Sequence, residues 1–506
     1  SDAAVDAVVA MGVDDGAVAA LRKLRERIQG HAGVPEQPLP KGLQAELRPY
    51  QRRGFDFLCY TASLGIGAIL ADDMGLGKTV QALAWLCWLR EKRRGRGPAL
   101  VVCPTSVAPN WVREAERFTP GLRVLMLGSG RGRRRARERW RDYDLVVTNY
   151  ALLRQDIDFW KDVELRAVIL DEAQQIKNPD AAVARAACSL QARFRLALTG
   201  TPLENRALDL WSILEFVNPG YLGKRSDFSA RFDRVDVPDH QRRWLAAKIR
   251  PLLMRRLKRD VATELPERIE ERIDCELTPG QRKAYVAELR RSRALVERVA
   301  QDADGLRRNK IEVLAALTRL RQVCCHPGLA GGDVEAGSGK FDALLELLET
   351  LLGEGHKVLV FSQFVRCLEL IDHELCARAI PRHILTGKST DRGALVDAFQ
   401  NDEQPCVFLI SLRAGGTGLN LTAASYVVLF DPWWNPAVEA QAIDRSHRIG
   451  QDKTVIAYRL IASGTIEEKI FDMQQRKAAL ARDVLGEDGF ARTLSREDLD
   501  FLLTPA

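Results

Sequence analysis

The sequence predicts an α/β protein with two parallel-sheet lobes, a helical segment between them and a helical tail. Two observations carry the prediction. Short, almost purely apolar runs recur at helix-length spacing in both halves of the chain. Strands read this way when helices cover a parallel sheet on both faces. The stretch from about 205 to 335 is instead rich in Leu, Arg, Glu and Ala, and poor in such runs. The length agrees, because 506 residues at ~100–200 per domain make about three domains. A hydrophobic fraction of 46% supplies their cores.

Taken in order, residues 1–41 read as a short helix over about 17–29, with Leu21, Leu24 and Ile28 on one face, and then a linker carrying Pro35, Pro38 and Pro40. Residues 42–220 form the first lobe, with apolar runs at 67–70, 99–102, 145–147 and 167–170. Residues 221–335 are the helical segment, closed by the Gly/Asp/Ser-rich break from Gly331 to Gly339. Residues 336–470 form the second lobe, with runs at 357–361, 406–410 and 426–430, and residues 471–506 the helical tail.

The net charge of +7 permits an anionic partner without demanding one. The seven His and ten Cys form no C-x-x-C pair, and most cysteines sit in apolar runs, which points to buried thiols in a reducing compartment. Cys324, Cys325 and His326 have no fourth ligand nearby, so packing and capping is expected and no structural metal. No apolar stretch reaches the ~20 residues that span a bilayer. The start, Ser1-Asp2-Ala3, lacks Met and reads as a fragment with a cloning remnant.

The chemistry-bearing segment of the first lobe is Asp72-Asp73-Met74-Gly75-Leu76-Gly77-Lys78-Thr79, between an apolar run and an apolar helix. Glycines there let backbone N–H groups approach phosphate oxygens, and the helix N-terminus adds positive potential. Lys78 would reach the β/γ-phosphates and the Thr79 hydroxyl would bind Mg²⁺. The competing reading is a Gly-rich turn with an incidental lysine. Asp171-Glu172 ends the run at 168–170. Asp171 would hold Mg²⁺ and Glu172 polarise the attacking water; a bare acidic strand-end turn is the alternative. Breaking the phosphate bond also needs positive charge at the γ-phosphate. The segment Gln441 to Gln451 offers Arg445 and Arg448, three apart and so on one helix face; the alternative is a solvated basic face.

Together these segments resemble the Swi/Snf-type ATPases, the double-stranded-DNA translocase branch of the superfamily-two helicases, from Leu47 to about Met473. Leu47-Arg48-Pro49-Tyr50-Gln51 is similar to the adenine-recognition motif, and Leu198-Thr199-Gly200-Thr201-Pro202 to the coupling motif. The likeness includes Cys103-Pro104-Thr105-Ser106 with Asn110-Trp111, Thr148-Asn149-Tyr150, Ser362-Gln363 and Ser411-Leu412-Arg413 through Gly418-Leu419-Asn420. It also includes Asp431-Pro432-Trp433-Trp434. Two motifs in the helical stretch favour this branch over unwinding helicases: Met254-Arg255-Arg256-Leu257-Lys258-Arg259-Asp260-Val261 with Glu264-Leu265-Pro266, and Leu320-Arg321-Gln322-Val323-Cys324-Cys325-His326-Pro327. Gln174 stands where many relatives have His, and Thr417 gives a bacterial look.

The resemblance implies two RecA-like lobes of the P-loop NTPase type, helical protrusions between them and a C-terminal helical brace. ATP and Mg²⁺ would bind at the first lobe. Arg48, Tyr50, Gln51, Asp73 to Thr79, Gly418 and Asn420 would contact the nucleotide, and Gln441, Arg445 and Arg448 would complete catalysis from the second lobe. Gln174, Thr199 and Thr201 would couple hydrolysis to movement. Thr105, Ser106, Asn110, Trp111, Thr148, Asn149, Ser362, Gln363, Ser411 and Arg413 would grip double-stranded DNA through its phosphates. Trp433 and Trp434 either touch a strand or pack the lobe. The run Arg131 to Arg141, seven arginines against one glutamate, is either a solvated helix face or an auxiliary phosphate contact. The implied function is DNA-stimulated ATP hydrolysis that drives translocation on duplex DNA and shifts bound proteins, such as a polymerase or repair complex, in a bacterial cytoplasm near the nucleoid. The alternatives are a strand-separating or RNA-dependent helicase, and a non-catalytic scaffold.

Overall fold

In the computed structural model, residues 34–128, 133–200, 207–233, 237–261, 265–300, 309–333, 337–389, 391–412, 419–434, 436–480 and 501–504 are described. The expected helix over 17–29, and Thr201, Arg413 and Gly418, lie outside them.

The first sheet uses β1 (Ala68–Leu70), β2 (Ala99–Cys103), β3 (Val124–Met126), β4 (Leu145–Asn149), β5 (Glu164–Asp171), β6 (Gln191–Leu198) and β7 (Leu253–Met254). Their order is β3-β4-β2-β5-β6-β1-β7, and every pair is parallel. The second sheet uses β8 (Arg268–Cys275), β9 (Val358–Ser362), β10 (Arg382–Leu385), β11 (Val407–Ser411), β12 (Tyr426–Leu429) and β13 (Val455–Ala462). Its order is β10-β11-β9-β12-β13-β8, again all parallel. Two α/β lobes are therefore present, as the apolar runs require.

Alternation explains those runs. Along β2, Val101 and Cys103 enter one cluster under helices α1 (Pro49–Ser63) and α2 (Lys78–Glu91), while Leu100 and Val102 enter the cluster on the other face. Along β9, Val358 and Val360 face one core, Leu359 and Phe361 the other. Each such side chain gains ~1.5–3 kcal/mol on burial, so Leu100→Ala would cost ~2–5 kcal/mol.

The helical segment departs from expectation in one respect. It supplies an edge strand to each sheet: β7 lies beyond the expected lobe boundary at 220, and β8 lies before the one at 336. The strand β8 has no apolar run because its charges pair across the edge. Arg459 meets Glu270 at 2.6 Å and Arg272 meets Glu468 at 2.7 Å. The crossing from β7 to β8 thus joins one sheet edge to the other.

Most of the remaining described residues of the segment are helical. After α3 (Ala108–Phe118) in the first lobe, the long helices α4 (Pro279–Ala300) and α5 (Lys310–Cys325) pack together. Their cluster also takes Ile466, Ile470 and Met473 of α6 (Ile466–Leu480), and Leu502 and Leu503. Cys324 and Cys325 are buried, and His326 Nδ1 accepts from Gly328 N at 3.1 Å, a cap. Arg321, 1% exposed, is 3.8 Å from Asp431 and lies over the Trp434 ring at 5.0 Å. Trp433 and Trp434 are themselves buried in separate clusters, so both pack. Among the described residues, one His/Cys/carboxylate group could hold a cation: His383, Asp402 and Cys406, with candidate ligand atoms within 4.8 Å. The Lys357 ammonium binds the Asp402 carbonyl, setting a positive charge beside it. No helix among the described residues is long and apolar enough to cross a membrane.

Candidate active site

The loop after β1 carries Gly75 and Gly77 at φ +81° and +75°, and Gly77 caps α2. The positive φ at Gly77 favours glycine, and a side chain there would also displace the Gln51 amide 2.5 Å away. Gln51 donates to the Leu76 carbonyl at 3.2 Å, and Tyr50 is buried beside Leu76. Asp72 is fully buried and paired with Arg256, whose Nε donates to Asp72 Oδ1 at 2.8 Å. Arg256 also donates to Gln81 Oε1 at 2.7 Å and to the Tyr50 carbonyl. Lys78 Nζ donates to the Asp72 carbonyl at 2.7 Å. These contacts fix the loop before any phosphate is considered.

The acid pair ends β5 beside the loop. Asp171 Oδ2 accepts the Trp111 indole N–H at 2.8 Å, and Oδ1 accepts Glu172 N at 2.9 Å. Burial first, and the neighbouring Glu172 second, push the Asp171 carboxyl up to about 7. Glu172 has φ +53°, a left-handed conformation that a side chain adopts only under constraint. The Tyr150 hydroxyl donates to the Asp171 carbonyl at 2.8 Å and helps to hold it. Glu172 Oε2 accepts Gln174 Nε2 at 2.6 Å, and Gln174 Oε1 accepts the Thr199 hydroxyl at 2.9 Å. A continuous hydrogen-bonded path therefore links Glu172 to the strand end that carries Thr199.

The second lobe meets this site directly. One cleft is lined by Lys78, Thr79, Asp171 and Glu172 from the first lobe, and by Gln441, Asp444, Arg445 and Arg448 from the second. A Cβ on Gly75 would lie 2.8 Å from Arg448 Cβ, so bare backbone is needed for the lobes to touch here. Arg445 is 4% exposed and its Nε has no acceptor among the described residues. Desolvation lowers its pKa to about 10, against the opposing pull of Glu172. Burial likewise lowers Arg448, with Glu114 opposing. A carboxylate and hydroxyl beside two desolvated guanidinium groups suit a polyphosphate with a hard divalent cation.

Several expected DNA contacts sit elsewhere. Trp111 is fully buried with its N–H on Asp171, which leaves no surface for a phosphate. Asn110 lines the same cleft and donates to Glu114 at 2.7 Å. Asn149 caps the helix after β4 by accepting Leu152 N at 2.9 Å. Thr148, Ser362 and Ser411 are buried, and Ser362 and Ser411 are partners across β9 and β11. The Gln363 side chain accepts from Arg321 at 3.1 Å. Thr105 is exposed after β2, Ser106 is half-buried beside it, and Asn420 is exposed. In the 131–141 run, Arg137 pairs with Asp156 at 2.8 Å and Arg139 with Asp142 at 3.4 Å, while Arg141 lies over the Trp140 ring.

The sequence reading missed Glu114. Its carboxyl is hydrogen-bonded to Asn110 and Thr79 and faces Arg448; burial raises its pKa and Arg448 opposes the rise. Helical phase was the available signal, since 110, 111 and 114 share one face of α3.

Two family models match the chain: the SNF2-related domain over residues 50–329 and the helicase conserved C-terminal domain over residues 339–450. YwqA of Bacillus subtilis (strain 168), which carries the name of an ATP-dependent helicase/translocase, is 37% identical across 96% of this chain and 54% of its own length. The mouse SWI/SNF-related matrix-associated actin-dependent regulator of chromatin subfamily A member 1 is 34% identical across 90% of this chain and 45% of its own. The chain thus spans about half the length of the curated relatives it matches. A Sulfolobus solfataricus SWI2/SNF2 ATPase core solved in complex with dsDNA is 36% identical, covers 93% of this chain and 100% of its own, and superposes with a TM-score of 0.46.

Proposed function

The chain belongs to the SNF2-related family of helicase-like ATPases, and from that membership and the cleft we propose that it is a DNA-stimulated ATPase. We propose that it translocates on double-stranded DNA and displaces or remodels bound proteins without parting the strands. The observation that carries the proposal is the single cleft in which Arg445 and Arg448 of one lobe face Lys78, Thr79, Asp171 and Glu172 of the other.

In this reading the loop amides and Lys78 bind the β/γ-phosphates of ATP. Thr79 and Asp171 would hold Mg²⁺, whose role is to neutralise charge on the phosphates. Their hard oxygen donors fit that ion, and a cation would favour the ionised form of Asp171. Glu172, held by Gln174, orients the attacking water. Arg445 and Arg448 stabilise charge on the leaving phosphates, and their buried setting strengthens that interaction. Loss of the γ-phosphate removes the anion that both lobes share and so favours their separation. The Glu172–Gln174–Thr199 path transmits the change to the first lobe's strand ends.

The DNA track is proposed to run over the carboxyl ends of β2 and β4 in the first lobe, through Thr105 and Ser106, and over the β9 and β11 ends in the second. The motifs from Met254 to Pro266 and from Leu320 to Pro327, which resemble those of the duplex-translocating branch, support the choice of nucleic acid. The test is the ATPase rate with no nucleic acid, single-stranded DNA, duplex DNA or RNA, run beside triplex displacement and strand unwinding. The expected result is stimulation by duplex and triplex displacement without unwinding. Unwinding without duplex stimulation would overturn the reading.

A further inference from the structure

The crossing between the two sheets does more than connect them. After β7, Arg256 is engaged with the buried Asp72 of the nucleotide loop, and Asp73 N donates to the Arg256 carbonyl at 3.0 Å. Two residues on, Lys258 N donates to Asp73 Oδ2 at 3.0 Å. The Lys258 side chain then leaves the first lobe. Its Nζ donates to Asp444 Oδ1 at 2.6 Å and to the His447 carbonyl at 2.5 Å. Asp444 immediately precedes Arg445, and His447 immediately precedes Arg448.

We propose that Lys258 is a positioning residue that sets the register of the Arg445–Arg448 segment over the nucleotide loop, by fastening Asp444 and His447 of the second lobe to Asp73 of the first. The inference rests on the ATPase reading and deepens it.

Three observations favour positioning over packing. Lys258 is 9% exposed, so its ammonium is costly to bury, and an apolar side chain could fill the same space. Register-setting is the best-attested use of a buried ion pair. Both acceptors are adjacent in sequence to the two arginines, so a shift of this anchor moves both guanidinium groups together. Finally, Lys258 Cε lies 3.5 Å from where a Cβ on Gly75 would stand, so the anchor sits where the lobes touch. The crossing also grips the segment at Arg268, 3.5 Å from Asp444, and at the Pro266 carbonyl, 2.9 Å from His447 Nε2. Those contacts keep the lobes joined when Lys258 is changed.

The test compares wild type with K258M and K258R. It measures affinity for a fluorescent ATP analogue, duplex-stimulated kcat, and small-angle scattering with ADP–aluminium fluoride. K258M should bind the analogue within about threefold of wild type but turn over ATP about 10–100-fold more slowly, because small misplacement of catalytic groups is costly. Its scattering should report a wider lobe arrangement, and K258R should recover much of both. Wild-type turnover and scattering in K258M would overturn the proposal. If wild type itself does not hydrolyse ATP, the ATPase reading fails, and scattering alone then decides: an unchanged lobe arrangement in K258M overturns the anchor. Should K258M not fold, D444A removes the side-chain acceptor of the Lys258 ammonium, and its turnover and scattering are read in the same way.

Discussion

The glycine loop of the first lobe, Asp72 to Thr79, and the arginine segment of the second are both buried and charged, but they treat their charges oppositely. In the loop, Asp72 has Arg256 and Gln81 as partners, and Asp73 has the Lys258 amide. In the segment, Arg445 carries a desolvated guanidinium whose Nε finds no acceptor among the described residues, and Arg448 donates to the Leu419 carbonyl at 3.2 Å. A satisfied charge network fixes geometry; a desolvated, under-bonded cation is primed for an anion from outside. The acidic side chains of the loop hold its shape, and in the proposed reading the arginines of the segment, like Lys78, meet the phosphates.

The largest expected effect breaks the second half of that contrast. Arg445→Ala should lower duplex-stimulated turnover by about 10³–10⁵-fold while leaving ATP affinity nearly unchanged, because the charge acts on the transition state. Turnover and equilibrium binding on the same samples check it, and equal losses in both would argue that Arg445 serves binding.

Stability should separate the regions next. Arg256→Ala strands a fully buried carboxylate at Asp72 and should cost ~3–5 kcal/mol in denaturant unfolding. Arg445→Ala removes a poorly satisfied buried charge, so its cost should stay within ~1 kcal/mol. Equal destabilisation by the two would erase the contrast.

A smaller effect concerns Asp171, whose carboxyl is pushed up to about 7 by burial and by Glu172. Its folded pKa lies above the unfolded ~3.9. Folding therefore favours the protonated form, and that contribution is full below ~4 and lost as pH rises through about 7. In EDTA, Asp171→Asn should raise Tm by a few degrees at pH 8 and give no gain at pH 5, while abolishing turnover. A gain independent of pH would point to packing instead.

Much of this was legible in sequence. Strands buried on both faces advertise themselves as apolar runs, and the loop, the acid pair and the arginine segment are contiguous motifs whose side chains the structure brings into one cleft. What escaped notice was set by contacts across long separations. Strand β8 is an edge strand whose charges are answered by Arg459 and Glu468, so its sequence looks like a polar helix. Lys258 and Asp444 are 186 residues apart and nothing local couples them. Trp111 and Asn110 were expected on the DNA track because the resemblance groups them in one motif with Thr105 and Ser106. Helical phase turns α3 so that these two face the acid pair and the cleft between the lobes instead.

The central claim is that one chain supplies both halves of the cleft. Mixing tests it most directly: Lys78→Ala and Arg445→Ala chains are combined in equal amounts and assayed for duplex-stimulated ATP hydrolysis beside wild type. The mixture should stay as inactive as either variant alone. Restored hydrolysis in the mixture would mean that the arginines act on a second copy, and would contradict it.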